Sequence, residues 1–566
     1  MFMSKLSTRL VSLVVLLFLS TYLLSAEGNI KFKQTKKTVL TVTVDNRPVR
    51  VNWYAGPYVT RPNREEDQRI NVYVPEGATK SSPIIFIVNN GGWQFNTYPA
   101  NTIQGGEEYD GTNDKIGTAL KERYVIVSYG ARGRNNGLTD GKYLGHSPST
   151  MTDTKAAIRY LRYNKKALPA GDTDRIVVTG ISGGGALSTL IAASGNSADF
   201  FPSLFEIGAA GITRNSDGTY SSQDGVGDEV FAAISYCPIT DLGHGDAAYE
   251  WLFRDVRQAL YMAGKMSYDY ADEETVMQAS RELSDIYGEY IDHLGLKDES
   301  GRPLNSSNLS AFIERLMKKE IELSVKEIGI EQMKKDVEQE IRQRGFGGGG
   351  PMGGGPQGRP QANPRQSLPD AALQSPAAQH RENNGWITFS EDGTWKYNLK
   401  KHLYYLALYT TLKAAPSFSN FGLYGIGMNE DNLFGSEQDE YSPFNSYSWN
   451  HDSRKNHVGK DDTGLSWDEF IKTEEGKNLM LEAKMTCAMD YILEGKSDTA
   501  PYWYVRHGMD DRDASFAVEA TLFSSIMNSE KVKGYNVGFA WLKGHAGDYD
   551  VPEAYGWLKE KLKRGH

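Results

Sequence analysis

Ser182 has the surroundings of a nucleophile. It lies at the centre of a G-x-S-x-G motif, Gly180-Ile181-Ser182-Gly183-Gly184. An apolar, β-branched run (Ile176 to Val178) precedes the motif, and a helix-compatible run (Ala186 to Ala193) follows it. A strand, a sharp turn and a helix in this order form a nucleophile elbow, which strains the backbone at the serine and exposes its hydroxyl at the top of a sheet. The pattern therefore predicts a reactive serine at position 182.

A serine of this kind needs a histidine base, which follows the nucleophile and the acid along the chain. His545 lies in a glycine-flanked loop between a short strand-like run (Val537 to Leu542) and a helical C-terminal stretch. A loop histidine is commonly a solvated surface residue. The flanking glycines and the late position favour His545 as the base, and His507 is the main alternative.

The acid is expected where the preceding strand ends. Tyr502 to Arg506 is a strand-like run that Gly508 breaks, and three carboxylates follow. One of them should hold the imidazole of His545 in the right tautomer and stabilise its charged form. The residues alone leave the choice open among Asp510, Asp511 and Asp513, and two of these are interpreted as turn or helix-capping residues.

An oxyanion hole is the fourth part that this chemistry needs. A buried-strand run, Pro83 to Val88, ends in Asn89-Asn90-Gly91-Gly92-Trp93. A glycine pair after an early strand is where a loop offers a backbone N–H to a developing oxyanion, and the residue after the nucleophile, Gly183, offers a second. A plain Asn-Gly turn is the alternative interpretation of Gly91 and Gly92.

The net charge and the N-terminal segment indicate which partners and which cellular location to expect. The chain has 566 residues and a formal net charge of −10 without a basic stripe, so we expect no nucleic-acid partner. Residues 1–26 have the pattern of a signal peptide, with Lys5 and Arg9 before an apolar run (Leu10 to Leu24) and a small-residue cleavage site. We therefore expect a secreted or periplasmic protein with no stable membrane insertion after cleavage. An uncleaved anchor is the alternative.

Cysteine and histidine usage gives no sign of a metal centre. The two cysteines, Cys237 and Cys487, could form a disulfide in an exported protein, or they could be two buried thiols. Together with scattered histidines they lack the ligand spacing of a zinc site. We expect neither a metal nor a cofactor.

Strand-like and helical runs alternate in the first half of the chain. Residues 30–60 alternate like antiparallel edge strands, and apolar runs recur at 84–88, 124–128 and 176–179, with a helical pattern at 152–164. This alternation predicts a mostly parallel sheet with helices on both faces. With the elbow, it predicts an α/β-hydrolase fold.

The pattern changes between the two halves of this predicted fold. We assign the hydrolase core to residues 27–244 and 481–566, with a large, mainly helical lid insertion at 245–480. Residues 345–383 within it are rich in Gly, Pro and Gln, and such a segment is typically disordered. An insertion at this place is expected to cover the active site and to set which substrate fits.

With these residues in view, the chain resembles the bacterial tannase family (tannin acylhydrolases), α/β-hydrolases that cleave galloyl esters. The resemblance covers most of the chain from about residue 50. Beyond the elbow it is carried by Gly130-Ala131-Arg132-Gly133-Arg134, the helix Asp153 to Asn164, Tyr236-Cys237-Pro238-Ile239-Thr240-Asp241-Leu242, Ala248-Tyr249-Glu250-Trp251, Asn432-Leu433-Phe434-Gly435, Arg506-His507-Gly508-x-x-Asp511-Arg512-Asp513-x-Ser515 and His545-x-Gly547-Asp548-Tyr549-Asp550.

The resemblance implies roles that the residues alone leave open. The D-R-D pattern of the family places the triad acid on Asp511 and a contact to phenolic hydroxyls on Asp513. The family also uses a lid lysine and a lid glutamate on those hydroxyls, which by motif are similar to Lys413 and Glu430. Charged groups of both signs suit a ring with adjacent hydroxyls, because they form charge-assisted hydrogen bonds with them.

The sequence thus predicts a serine esterase that hydrolyses galloyl esters through an acyl-enzyme, with a small phenolic ester as its partner. An esterase of the same fold acting on other phenolic (feruloyl-type) or carbohydrate acyl esters is the alternative. A peptidase would need a pocket for a peptide terminus, which nothing in the sequence indicates. A non-catalytic binding protein is disfavoured because no triad position is missing.

Overall fold

The computed structural model describes residues 30–266, 268, 271–344, 385–409, 412–424, 430–452 and 463–564. The predicted signal peptide (1–26) and the Gly/Pro/Gln-rich segment (345–383) lie outside the described residues. Within the described ranges, no helix combines the length and the apolar character needed to cross a membrane.

One large sheet carries the strands that the sequence pattern predicted. In the described part of the chain it has ten strands in the order β16-β15-β12-β9-β4-β6-β3-β2-β1-β5. Their bounds are β1 Lys37–Val44, β2 Arg47–Pro57, β3 Arg69–Pro75, β4 Ile84–Val88, β5 Glu108–Tyr109, β6 Val125–Tyr129, β9 Ile176–Ile181, β12 Ala232–Tyr236, β15 Tyr502–Gly508 and β16 Gly534–Ala540. Three two-stranded ribbons comprise β7 Leu138–Thr139 with β8 Lys142–Tyr143, β10 Ile212–Arg214 with β11 Tyr220–Ser222, and β13 Ile387–Phe389 with β14 Trp395–Tyr397.

The sheet changes direction along its width. The β1–β2, β2–β3 and β3–β6 pairs are antiparallel, as the alternation in residues 30–60 indicated. From β6 through β4, β9, β12 and β15 to β16 all pairs are parallel. Strands buried on both faces are typically continuous apolar runs, and β4 (Ile84–Val88) is buried throughout. Parallel pairing brings the carboxyl ends of β9, β12, β15 and β16 to one edge.

Helices cover the sheet and form most of the described secondary structure between β12 and β15. The helices of the first part are α1 Lys115–Lys121, α2 Ser149–Tyr163, α3 Gly183–Ala193 and α4 Phe201–Glu206. Between β12 and β15 come α5 Leu242–Met262, α6 Glu273–His293, α7 Leu309–Ile328, α8 Ile330–Arg344, α9 Leu399–Tyr409, α10 Phe421–Tyr424, α11 Ser446–Asn450, α12 Trp467–Phe470, α13 Glu474–Lys484 and α14 Ala488–Glu494. The last two are α15 Phe516–Asn528 and α16 Val551–Arg564.

The apolar core lies on both faces of the sheet. One large cluster of buried side chains includes the inner faces of α2, α3 and α15 and extends into the helices between β12 and β15. A second cluster lies on the opposite face and includes the inner face of α16. A mostly parallel sheet between two helical layers, with a mainly helical insertion, confirms the predicted fold class. Below, "the insertion" means the described residues between β12 and β15.

A buried carboxylate anchors the insertion to its own first helix. Asp246, on α5, is almost fully buried and accepts hydrogen bonds from three successive backbone N–H groups. The donors belong to Ser417, Phe418 and Ser419, and the side-chain amide of Asn445 donates a fourth bond at 2.8 Å. Burial raises the pKa of Asp246 to about 6, and the four hydrogen bonds oppose that rise.

Candidate active site

The backbone is strained at Ser182. The residue has φ +60° and ψ −125°, a conformation that a side chain normally disfavours and that functional sites retain. Its N–H donates to the carbonyl of Tyr236 at 2.9 Å, and α3 begins at the next residue. Gly180 has no room for a side chain, because a Cβ there would collide with the backbone carbonyl of Gly184. The motif therefore adopts the strand–turn–helix geometry that the sequence predicted.

Ser182, His545 and Asp511 form one hydrogen-bonded chain. His545 Nε2 lies 2.7 Å from Ser182 Oγ, and His545 Nδ1 lies 2.8 Å from Asp511 Oδ2. Asp511 follows β15 and His545 follows β16, so the parallel strands deliver both to the edge where β9 ends. The Asp511 side chain is fully buried, whereas that of His545 is 21% exposed, which leaves the imidazole open to a ligand.

The first two of the three carboxylates after β15 have different partners. Asp510 Oδ1 lies 3.3 Å from Nε2 of His402, a buried side chain on α9 in the insertion. Asp511 contacts His545, and its second oxygen accepts the backbone N–H of Asp513 at 2.8 Å. Of the three carboxylates that the residues left open, Asp511 is the one that the described structure hydrogen-bonds to His545.

The charges in this hydrogen-bonded series of side chains favour His545 as a base. Burial alone would lower the pKa of His545, but the carboxylate of Asp511 raises it above its ordinary value. Burial alone would raise the pKa of Asp511, but the charges of His545 and His507 hold it below its ordinary value. Asp511 therefore stays ionised and can stabilise a proton on His545.

The glycine loop after β4 approaches the nucleophile closely. Gly91 to Trp93 form a 3₁₀ turn, in which Gly92 has φ +59°. A Cβ on Gly183 would lie only 2.5 Å from the backbone nitrogen of Gly92, so Gly183 must be a glycine. Gly92 and Gly183 therefore present their backbones side by side next to Ser182. Gly91 has open space around its Cα and lies further from Gly183.

Lys413 contacts the loop that carries the acid. Its ammonium donates to the backbone carbonyl of Asp513 at 2.9 Å and lies 4.4 Å from the ring centroid of Phe418. Its charge also reaches His545, where it opposes the rise in pKa that Asp511 causes. Lys413 and Asp513 therefore lie together beside the imidazole.

Glu430 contacts the glycine loop through an arginine. Its carboxylate lies 3.3 Å from Nη2 of Arg134, a largely buried side chain. Nε of Arg134 donates to the carbonyl of Gly92, and Nη1 lies 3.5 Å from Oδ1 of Asn432. Arg134 thus joins the insertion to the loop beside Ser182. The sequence had marked Arg134 as part of a motif without giving it this role.

Two further residues, His507 and Glu519, extend this series of side chains beyond Asp511, away from Ser182. His507, the alternative base, is fully buried with Nε2 3.6 Å from Asp511 Oδ2. Its Nδ1 lies 3.4 Å from Oε1 of Glu519, a buried carboxylate on α15. Glu519 gave no signal in the sequence, because an acidic residue in a helix is normally a solvated side chain.

Cys237 lies beside Asp511 and His545. Its thiol donates to the carbonyl of Ala546 at 3.2 Å, and its sulfur lies within 4.8 Å of ligand atoms of Asp511 and His545. These three form the one group with metal-ligand spacing in the described residues. The hydrogen bonds described above already account for the positions of these three side chains. Cys237 and Cys487 are both buried free thiols, so the two are not joined by a disulfide.

Comparison with known proteins places this geometry on a known scaffold. The tannase of Fusobacterium nucleatum is 24% identical, with 94% of this chain and 99% of that chain covered and a TM-score of 0.65. A tannin acyl hydrolase from Lactobacillus plantarum is 23% identical, with coverage of 94% and 98% and a TM-score of 0.67. The fold is that of the bacterial tannases. The resemblance predicted from sequence is confirmed at the level of structure.

Two other comparisons complete this result. A tannin acyl hydrolase solved in complex with 3,4-dihydroxybenzoate is 24% identical over 94% of this chain and 98% of that chain, with a TM-score of 0.68. A family model described as BD-FAE matches residues 70–273, which include the elbow. No curated protein sequence matches the chain.

Proposed function

We propose that this protein is a serine esterase and that it hydrolyses galloyl esters. The observation that carries the proposal is the Ser182–His545–Asp511 chain, with both contacts below 3 Å, on a tannase-like scaffold. A tannin acyl hydrolase of the same fold has been solved with ethyl gallate, which supports the same substrate class for this chain.

The mechanism follows from the placement of each group. His545 accepts the proton of Ser182 Oγ as the oxygen attacks the ester carbonyl, and Asp511 stabilises the imidazolium that results. The backbone N–H groups of Gly183 and Gly92 are the proposed donors to the oxyanion. Collapse of the tetrahedral intermediate expels the alcohol, which takes the proton from His545. Water then attacks the acyl-enzyme while His545 accepts a proton from it, and collapse of the second intermediate releases the acid as His545 returns the proton to Ser182 Oγ.

The surrounding charges support a phenolic acyl group. Lys413 supplies a donor beside Asp513, while Glu430, held by Arg134, supplies an acceptor near the glycine loop. We propose that Asp513, Lys413 and Glu430 hold the ring hydroxyls through charge-assisted hydrogen bonds. A site built in this way rejects an analogue that lacks the hydroxyls, because its polar groups are then left unpaired. The N-terminal sequence supports export to the periplasm or beyond.

The test is a comparison of esters with two variants. Methyl gallate, methyl ferulate and p-nitrophenyl acetate are given to the wild type, to Ser182→Ala and to Asp513→Asn. We expect a strong preference for methyl gallate, loss of all hydrolysis in Ser182→Ala and loss of the gallate preference in Asp513→Asn. Turnover of the activated acetate without a gallate preference would retain the triad and assign another ester class, such as the feruloyl type. Hydrolysis that survives in Ser182→Ala would overturn the proposal.

A further inference from the structure

We propose that His507 and Glu519 form a buried charge pair that acts through Asp511 and widens, toward acid, the pH range in which His545 serves as a base. The proposal rests on the serine-esterase function proposed above. His507 and Glu519 do not reach a substrate in this arrangement, so they are positioning residues. They deepen the candidate site by giving the acid of the triad a second partner.

One oxygen of Asp511 lies between two imidazole rings. Oδ2 is 2.8 Å from Nδ1 of His545 and 3.6 Å from Nε2 of His507. Glu519 Oε1 lies 3.4 Å from the other ring nitrogen of His507. Ser182, His545, Asp511, His507 and Glu519 therefore form a single series that runs from the cleft into the core. Any charge on His507 acts directly on the oxygen that His545 uses.

Burial makes the pairing necessary. His507, Asp511 and Glu519 are each fully buried, and the imidazole of His507 forms T-shaped pairs with the rings of Phe516 and Phe539. Within the described residues, no hydrogen bond of good geometry satisfies either nitrogen of His507 or either oxygen of Glu519. A buried carboxylate is strongly destabilising without a cation close by. The two side chains therefore compensate each other electrostatically.

Other titratable groups lie around this series, on every side of it: Cys237 beside Asp511, Tyr287 of α6 near Glu519, and Lys413 and Asp513 beside His545. Burial raises the pKa of Cys237 and of Tyr287 well above ordinary values, so both are neutral at physiological pH. Asp511 stays ionised, so the charges in the series that can change are those of the two histidines and of Glu519, whose pKa burial raises.

The proton on His507 then has a definite effect. Burial alone would lower the pKa of His507, but Asp511 and Glu519 raise it above its ordinary value. A charged His507 offsets part of the attraction that Asp511 exerts on a proton at His545. His545 therefore remains unprotonated to a lower pH than it would beside Asp511 alone. Glu519 is needed because it keeps the charge on His507.

The experiment measures kcat/KM as a function of pH and follows its fall at low pH, the acid limb. This limb reports the pKa of the base in the free enzyme. The substrate is p-nitrophenyl acetate, so that the result does not depend on gallate specificity. In both His507→Gln and Glu519→Gln the midpoint of the limb should move to higher pH, by about one unit for a charge at this distance. The double variant should move it no further than either single variant, because both changes remove the same charge. His402→Gln, another buried imidazole beside the same loop, is the matched control and should leave the midpoint in place.

Several outcomes overturn the inference while sparing the proposed function. One is a limb in Glu519→Gln that stays in place or moves to lower pH. Another is a lower melting temperature in both variants with unchanged midpoints, which would indicate packing alone. If neither variant folds, ring ¹⁵N spectra of histidine-labelled wild-type protein decide, since a neutral His507 at the pH of activity would contradict the charge pair. Hydrolysis that persists in Ser182→Ala removes the proposed function instead.

Discussion

The nucleophile elbow and the insertion hold their functional residues by different means. At the elbow, Ser182 and Gly183 are fixed by successive backbone geometry, with strand, strained residue and helix following within a few positions. In the insertion, Lys413 and Glu430 are fixed by polar contacts to Asp513 and Arg134, which are far away in the sequence. Under the proposed function, we therefore expect covalent chemistry and substrate fit to be separable. Changes in the core should act on kcat, and changes in the insertion on KM.

The largest effect is expected at two adjacent carboxylates after β15, one of which contacts His545 and the other His402 of the insertion. Asp511→Asn should lower kcat by about 10⁴-fold, because His545 loses the carboxylate that fixes its tautomer and stabilises its charge. Asp510→Asn, which faces His402 of the insertion, is the matched control and should lower kcat by less than about tenfold. Steady-state kinetics on methyl gallate measure both. Equal losses of kcat would break the distinction.

A second contrast lies within the glycine loop. Gly92→Ala should lower kcat by about tenfold, because a left-handed backbone costs an alanine about 1 kcal/mol and the loop must shift beside Gly183 to relieve the strain. Its Cβ would also lie 3.1 Å from Arg134 Nη2. Gly91→Ala has open space around the new methyl group and should retain kcat within about twofold. Similar kinetics for the two variants would contradict a donor role for this loop.

The third prediction concerns the insertion itself. Glu430→Gln should raise KM for methyl gallate by about fivefold with a small change in kcat, since a charge-assisted hydrogen bond becomes a neutral one. Glu437→Gln, a half-exposed carboxylate paired with Lys142, is the control and should leave both constants unchanged. A fall in kcat equal to the rise in KM would show that the insertion takes part in the chemical step.

The smallest expected effect crosses between the two regions. His545 must be unprotonated to act as a base, and because Asp511 raises its pKa against the effect of burial, the acid limb of kcat/KM should lie at higher pH than an ordinary imidazole would place it. Lys413 opposes that rise, so Lys413→Gln should move the limb further toward higher pH, by less than about one unit. A pH profile on p-nitrophenyl acetate measures the shift. A limb that moves toward acid would mean that the charge of Lys413 does not reach His545.

Local patterns predicted the elbow because its geometry depends on neighbours in sequence. The run into Ser182, the glycines around it and the helix after it specify strand, turn and helix within a short segment. The order of the parallel strands then brings His545 to the same edge. Position in the chain pointed to that residue, because His545 and Ser182 both follow the ends of strands in one sheet.

Contacts between residues that are distant in sequence cannot be predicted from such local patterns. Nothing near Glu519 distinguishes it from a solvated helix residue, and its meeting with His507 depends on how α15 packs against β15. The same is true of Arg134 and Glu430, whose partnership spans the insertion. The residues left Asp510, Asp511 and Asp513 equivalent, and the fold separates them by the directions in which the loop points their side chains.

The anchor at Asp246 determines which residues the loop 417–419 can carry. Its carboxylate holds the loop 417–419 through main-chain N–H groups, which every residue other than proline possesses. The anchor itself therefore excludes only proline at these positions, and the burial of all three side chains is what limits the other residues that can replace them.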